Sequence, residues 1–161
     1  MTSTKSVHNA HISQKLRLLH GALLDILSTM NRPERDEDMI RAAGIQLDRA
    51  LFPLLVGIGR FGPIGVVDLA DRAGRDHTTV SRQVAKLAAL GLVERREGAG
   101  DRRVREAVVT QKGRAMTGMI DAAREKMGRA IFESWEERDI DDLVRLLCRF
   151  AAAVRDAPPR E

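Results

Sequence analysis

Cysteine is all but absent. Cys148 is the only one among 161 residues, so neither an intrachain disulfide nor a cysteine-rich zinc site can form, as suits a reducing compartment. Tyrosine is missing and aromatic residues amount to 3%, which argues against a β-sandwich or barrel. No run of eighteen apolar residues occurs, and residues 1–15 are polar, without an apolar stretch of signal-peptide length. A cytoplasmic protein is the expectation, with no membrane partner. What is plentiful is aliphatic and charged: 43% of residues are hydrophobic and 31% charged, a globular balance that favours helices packed through Leu, Ile, Val, Met and Ala. The chain is long enough to bury a core without a metal or a disulfide.

The charge is uneven. The net charge is +4 and the isoelectric point about 9.8. Between Arg60 and Arg114 there are twelve Lys or Arg against seven Asp or Glu, so the central third carries the whole positive excess. A solvated charge face would look the same from composition alone, but a basic centre is also what a nucleic-acid partner requires.

Apolar residues at Ile12, Leu16, Leu19, Leu23, Ile26 and Met30 step by three and four, which predicts a helix with one apolar stripe, ended by Arg32-Pro33. The acidic stretch Glu34 to Asp38 reads as a connection or irregular turn. Leu47, Leu51, Leu54 and Ile58 signal a second helix with Asp48 as its cap, and Pro53 implies that it either starts near that residue or is kinked there. A short helix follows from Val66 to Ala73, stopped by Gly74, and Asp76 caps a longer one that ends at Gly91. Leu92 to Arg96 and Arg103 to Val109 read as two strands of a hairpin. Thr110 is the expected cap of the next helix and Asp139 that of the last, whose stripe runs through Ile140, Val144, Leu147, Ala151 and Val154 to Pro158-Pro159.

The order helix, tight turn, helix, hairpin is that of a winged helix-turn-helix, whose second helix enters the major groove of DNA. With Val80, Val84 and Leu87 buried, about 100° per residue turns Thr78, Arg82 and Ala89 outward, flanked by Thr79, Ser81, Gln83 and Lys86. Arg82 and Gln83 suit two-pronged contacts to guanine and adenine, and Lys86 suits a phosphate. Thr and Ser so near a helix start also serve as ordinary caps. Arg75 and His77, on either side of the Asp76 cap, belong to the same candidate surface. In the hairpin loop Asp101, Arg102 and Arg103, followed by Arg105, bring charge that can lie along a phosphate backbone or enter a minor groove. Asp101 can neutralise these arginines at the surface, and a pair with Arg103 would at the same time stiffen the tip that delivers the charge.

The segments Val66-Val67-Asp68-Leu69-Ala70-Asp71-Arg72-Ala73-Gly74, Thr79-Val80-Ser81-Arg82-Gln83-Val84-Ala85-Lys86-Leu87 and Gly91-Leu92-Val93-Glu94-Arg95-Arg96 resemble the helices and wing of MarR-type regulators. Asp101-Arg102-Arg103 and Thr110-Gln111-Lys112-Gly113-Arg114 continue the likeness, so that it runs without a gap across some fifty residues. Pro53, and Val67 where that family often has Ser, depart from it. The resemblance implies a two-fold homodimer built from the first helix and the last two, with a DNA reader on each side. The domains expected are a winged helix-turn-helix over 45–112 and a helical dimerisation region over 8–44 and 113–156, in a chain that is mainly α with a small β-hairpin wing.

Other signals are weaker. Gly57-Ile58-Gly59-Arg60-Phe61-Gly62 spells a dinucleotide fingerprint, but an apolar helix precedes it and Pro63 follows, where a strand before and a helix after are needed. His8, His11 and His20 lack acidic or thiol companions nearby in sequence, so no metal and no cofactor is expected. His20, among Leu16, Leu19, Leu23 and Leu24, either lines a ligand pocket or meets a backbone carbonyl. Cys148 reads as a small buried hydrophobe, and nothing assembles a catalytic triad, so an enzyme is not expected. The expected function is a DNA-binding regulator, a repressor of a pseudo-palindromic operator, released by a small aromatic or anionic effector. Sequence-blind, cooperative binding would instead mark an effector-free architectural protein, and a cofactor absorbance change would mark a nucleotide-dependent oxidoreductase.

Overall fold

The computed structural model describes residues 3–98 and 105–157, with side chains described from His11 onward. Among them seven helices and three short strands follow in order: α1 (Ser3–Met30), α2 (Pro33–Ala42), α3 (Phe52–Phe61), β1 (Ile64–Gly65), α4 (Val66–Ala73), α5 (His77–Ala89), β2 (Val93–Glu97), β3 (Arg105–Val109), α6 (Gln111–Ile131) and α7 (Glu137–Arg155). The class is the expected one, mainly helical with a small hairpin. Two compact units divide the chain, Met1–Ile120 and Asp121–Glu161.

The first unit is organised by one apolar cluster. Leu54, Leu55 and Ile58 of α3, Leu69 and Ala70 of α4, and Val80, Val84 and Leu87 of α5 pack together, and Ile64, Leu92, Val93 and Ala107 close the cluster from the strands. The expected inner face of α5 is therefore the observed one. The strands form an antiparallel sheet in the order β1-β3-β2, with Ile64 opposite Ala107 and Val93 opposite Val109. The two-residue strand β1 was not anticipated, being too short to show any alternation.

Two helix starts differ from expectation. Glu34 to Asp38 is not a connection but part of α2: Pro33 fits the first turn, where its missing N–H costs nothing, and Glu34 and Asp36 favour the positive end of the helix dipole. The charges that suggested a solvated turn are what stabilise this helix start. Pro53 likewise occupies the first turn of α3, so the helix begins there rather than kinking. Asp48 does not cap it. The Asp48 carboxylate instead accepts from the Ala50 N–H at 2.8 Å, making a turn before the helix. Gly57 and Gly59 admit close neighbours, since a Cβ added there would stand 3.1 Å from Leu69 and 3.2 Å from Thr117. The dinucleotide-like glycines thus sit in a helix and its end, where they serve packing.

Gly74 ends α4 with a left-handed φ of 61°, a conformation open to glycine at little cost. Thr110 caps α6 as expected: its hydroxyl donates to the Gly91 carbonyl at 2.6 Å and accepts from the Gly113 N–H at 3.0 Å. α1 begins earlier than its first apolar residue, and it exposes Ile12, Leu16, Leu24, Ile26, Leu27 and Met30.

In the second unit the ring of Phe132 meets Trp135 edge to face at 5.2 Å. α7 starts at Glu137, three residues before the first apolar position of its stripe, so Asp139 lies in the first turn instead of capping it. Its apolar residues Leu143, Val144, Leu147 and Val154 are exposed. Cys148 is exposed too, contrary to the expectation of a buried hydrophobe, because within its unit no described residue covers that face of α7.

The sharpest packing constraint is at Gly113. A Cβ there would overlap the Leu92 carbonyl oxygen, which is already accepting from the Thr110 N–H. Gly113→Ala is expected to destabilise the chain by about 1–3 kcal/mol, the usual cost of overpacking. Urea unfolding measures it, and an unchanged midpoint contradicts this account of the junction.

Candidate nucleic-acid interface

The start of α5 is fixed by its cap. Asp76 holds an extended backbone, and its carboxylate accepts from the Thr79 N–H at 2.9 Å. The Thr79 side chain, with the Thr79 and Thr78 N–H groups, lowers the Asp76 pKa from the usual aspartate range; Arg82 adds a smaller attraction. The cap is thus Asp76, and Thr79 is the residue whose N–H it holds. Thr78, Arg82, Lys86 and Ala89 lie exposed, while Ser81 and Gln83 are half-buried at the flanks.

Neighbouring side chains brace the helix. His77 Nε2 lies 3.2 Å from an Asp71 carboxylate oxygen on α4, an exposed pairing across the turn. Arg75 is half-buried and turned inward: its Nη1 donates to the Ala50 carbonyl at 2.9 Å and to Gln83 Oε1 at 3.2 Å. These bonds tie the turn before α5 to the segment before α3. Arg75 and Gln83, both expected on the DNA-facing surface, are thus bonded to each other.

Arg95, which sequence reasoning passed over, links the hairpin to this helix. From β2 its guanidinium donates to the Ser81 carbonyl at 3.0 Å, fourteen residues away in sequence. The only available signal was its place in the first strand, which says nothing of what it touches. Arg96 pairs with Glu94 on the same strand. A groove of about 520 Å³ opens beside this link, lined by Val66 and Val67 at the start of α4, Ser81, Arg95 and Arg105. Gly65 and the carboxylate of Asp68 line it as well; the two guanidinium groups against that single carboxylate, beside a helix start, leave a net positive groove that can take an anion such as a phosphate. Asp101, Arg102 and Arg103 lie outside the described residues.

A second cavity, of about 350 Å³, lies on the other flank of α5 among Asn31, Asp36, Arg49, Arg75, Thr79 and Gln83. Burial raises the Asp36 carboxyl pKa, while Arg75 and Arg49 pull it back down. His20 is exposed on α1 and lines neither this cavity nor the groove. Among the described residues no group of three His, Cys, Asp or Glu stands together to hold a metal ion, and no helix is long and apolar enough to cross a membrane.

The cap has a measurable pH signature. Because folding lowers the Asp76 pKa, its ionised form contributes stability above the ordinary aspartate value, and that contribution is lost as pH falls through the lower folded value. Asp76→Asn keeps an acceptor for Thr79 without a titrating charge. Thermal unfolding between neutral pH and about pH 3 is expected to show a shallower acid loss for the variant than for the parent chain. Parallel curves contradict the cap's role.

Comparison with known proteins agrees with this architecture. The MarR family model matches residues 45–104. The uncharacterized HTH-type transcriptional regulator YxaD of Bacillus subtilis (strain 168) is 29% identical over 110 residues, covering 68% of this chain and 77% of that protein. A MarR family protein from Bacillus stearothermophilus superposes with a TM-score of 0.69 at 18% identity, over 89% of this chain and 98% of the other. CouR from Rhodococcus jostii RHA1, bound to p-coumaroyl-CoA, gives a TM-score of 0.62 at 20% identity, over 88% and 94%.

Proposed function

We propose that this chain, which belongs to the MarR family of transcriptional regulators and not to a family of enzymes, binds a pseudo-palindromic DNA operator as a homodimer and represses until a small effector releases it. The observation that carries DNA reading is the outer face of α5, where Thr78, Arg82 and Lys86 are exposed while Val80, Val84 and Leu87 are fully buried. Arg82 reads a base edge and Lys86 holds a phosphate. Thr78, Thr79 and Ser81 give close approach near the helix start, and His77 flanks them. Arg95 and Arg105 meet the backbone in the groove beside α4, with Arg102, Arg103 and Asp101 contributing from the segment between β2 and β3.

Arg82→Ala is expected to weaken binding to the selected operator by about 1–3 kcal/mol and to leave random DNA nearly unchanged. Lys86→Ala weakens both alike and lowers the slope of affinity against salt by about one. Titration of both duplexes over a salt series separates the two, and equal losses for Arg82→Ala on both contradict the assignment of that residue.

Dimerisation is supported by the exposed apolar residues of α1 and α7, such as Leu16 and Val144, which isolated in water would leave each helix marginal. A two-fold axis then sets half-sites about ten base pairs apart. Leu16→Asp or Val144→Asp is expected to yield monomers in sedimentation and to weaken operator binding without touching α5. Monomeric parent chain at micromolar concentration, with undiminished operator affinity, contradicts the dimer.

Effector release is supported by the polar cavity on the flank of α5, where Arg49 and Arg75 suit an anionic or aromatic acid. A ligand seated against Thr79 and Gln83 touches the reading helix itself. The same cavity, and not His20, is the pocket of this reading.

A further inference from the structure

The environment of Gln83 bears on which base the reading helix selects. Arg75 stands two residues before α5, anchored to backbone: its guanidinium donates to the Ala50 carbonyl, and the Ala50 N–H is itself held by Asp48. That anchor does not depend on Gln83. The same Nη1 reaches Gln83 Oε1 at 3.2 Å. A guanidinium only donates, so the amide must turn its oxygen, and not its NH2 end, towards Arg75. Asp36, in the same cavity, adds negative charge that keeps Arg75 in place.

A glutamine grips adenine with both ends, its oxygen accepting from N6–H and its nitrogen donating to N7. Here Arg75 already holds one lone pair of that oxygen, and a base that meets the NH2 end meets donors. Guanine offers the acceptors O6 and N7, and thymine offers O4. Adenine presents a donor beside its acceptor, and cytosine presents a donor.

Resting on α5 as the DNA reader, we propose that Arg75 is a positioning residue that biases Gln83 towards donating to a base, favouring guanine or thymine over adenine and cytosine. This replaces the adenine contact that the residue type alone suggests.

The test selects bound duplexes from a random pool with the full chain and with Gln83→Ala, Arg75→Lys and Arg75→Met. The position whose preference flattens in Gln83→Ala is the one Gln83 reads. The parent chain is expected to favour guanine or thymine there by about three- to tenfold, the span of one net hydrogen bond. Arg75→Lys, still a donor to the amide oxygen, keeps that preference, and Arg75→Met, which frees the oxygen, moves it towards adenine. A merely structural role for Arg75 would change affinity at every position without exchanging one base for another. Should Arg75→Met fail to fold, Gln83→Glu serves instead: a carboxylate has no donor, so the preference for guanine or thymine disappears. Adenine selected by the parent chain, an unchanged preference in Arg75→Met or Gln83→Glu, or no position flattened by Gln83→Ala overturns the proposal. A parent chain that selects no sequence at all overturns the DNA-reading function together with it.

Discussion

Three side chains on one face of α5 bear most of the architecture. Val80, Val84 and Leu87 are completely buried against α3, α4 and the sheet, and each full burial contributes about 1.5–3 kcal/mol. Exposed pairings such as His77 with Asp71 contribute about 1 kcal/mol or less. The seat of α5 is therefore set by its apolar face, and the polar bonds around it adjust rather than decide. Rotating the helix by a quarter turn would expose this face. The identity of the outward residues follows from what must be inward.

On that seat, directional bonds fix details that apolar contact cannot. Asp76 defines where the helix starts, Arg75 joins its approach to the segment before α3, and Arg95 ties β2 to the middle of the helix through the Ser81 carbonyl. Thr110 and Gly113 close the far side of the hairpin against Leu92. The hairpin and α5 are thereby held in a common frame within the first unit. The groove between them then holds Arg95 and Arg105 at a fixed distance from the outer face of α5.

The helix-turn-helix was legible in the sequence because it is written in apolar spacing and in punctuation. The period of Val80, Val84 and Leu87, the stop at Gly74 and the caps Asp76 and Thr110 each act locally. Glu34 to Asp38 was misread because acidic residues at a helix start and acidic residues in a solvated turn have the same composition. Asp139 and Asp48 fit the statistics of caps, yet one falls inside a first turn and the other closes a turn before its helix. Cys148 was judged by residue type, which cannot tell whether an apolar stripe has a partner within its own chain. Arg95, Arg75 and Gln83 depend on contacts across fourteen, twenty-five and eight residues, and no local pattern encodes those.

The central claim is that α5, seated by its apolar face, is the surface that meets DNA. Backbone NMR spectra of the labelled chain, titrated with a duplex selected from a random pool, test it most directly. The account predicts the largest shifts at Thr78, Arg82 and Lys86, accompanied by β2 and β3, with Val80, Val84 and Leu87 following only weakly. Shifts concentrated on α7 or on the second unit, with α5 unmoved at saturating duplex, would contradict it.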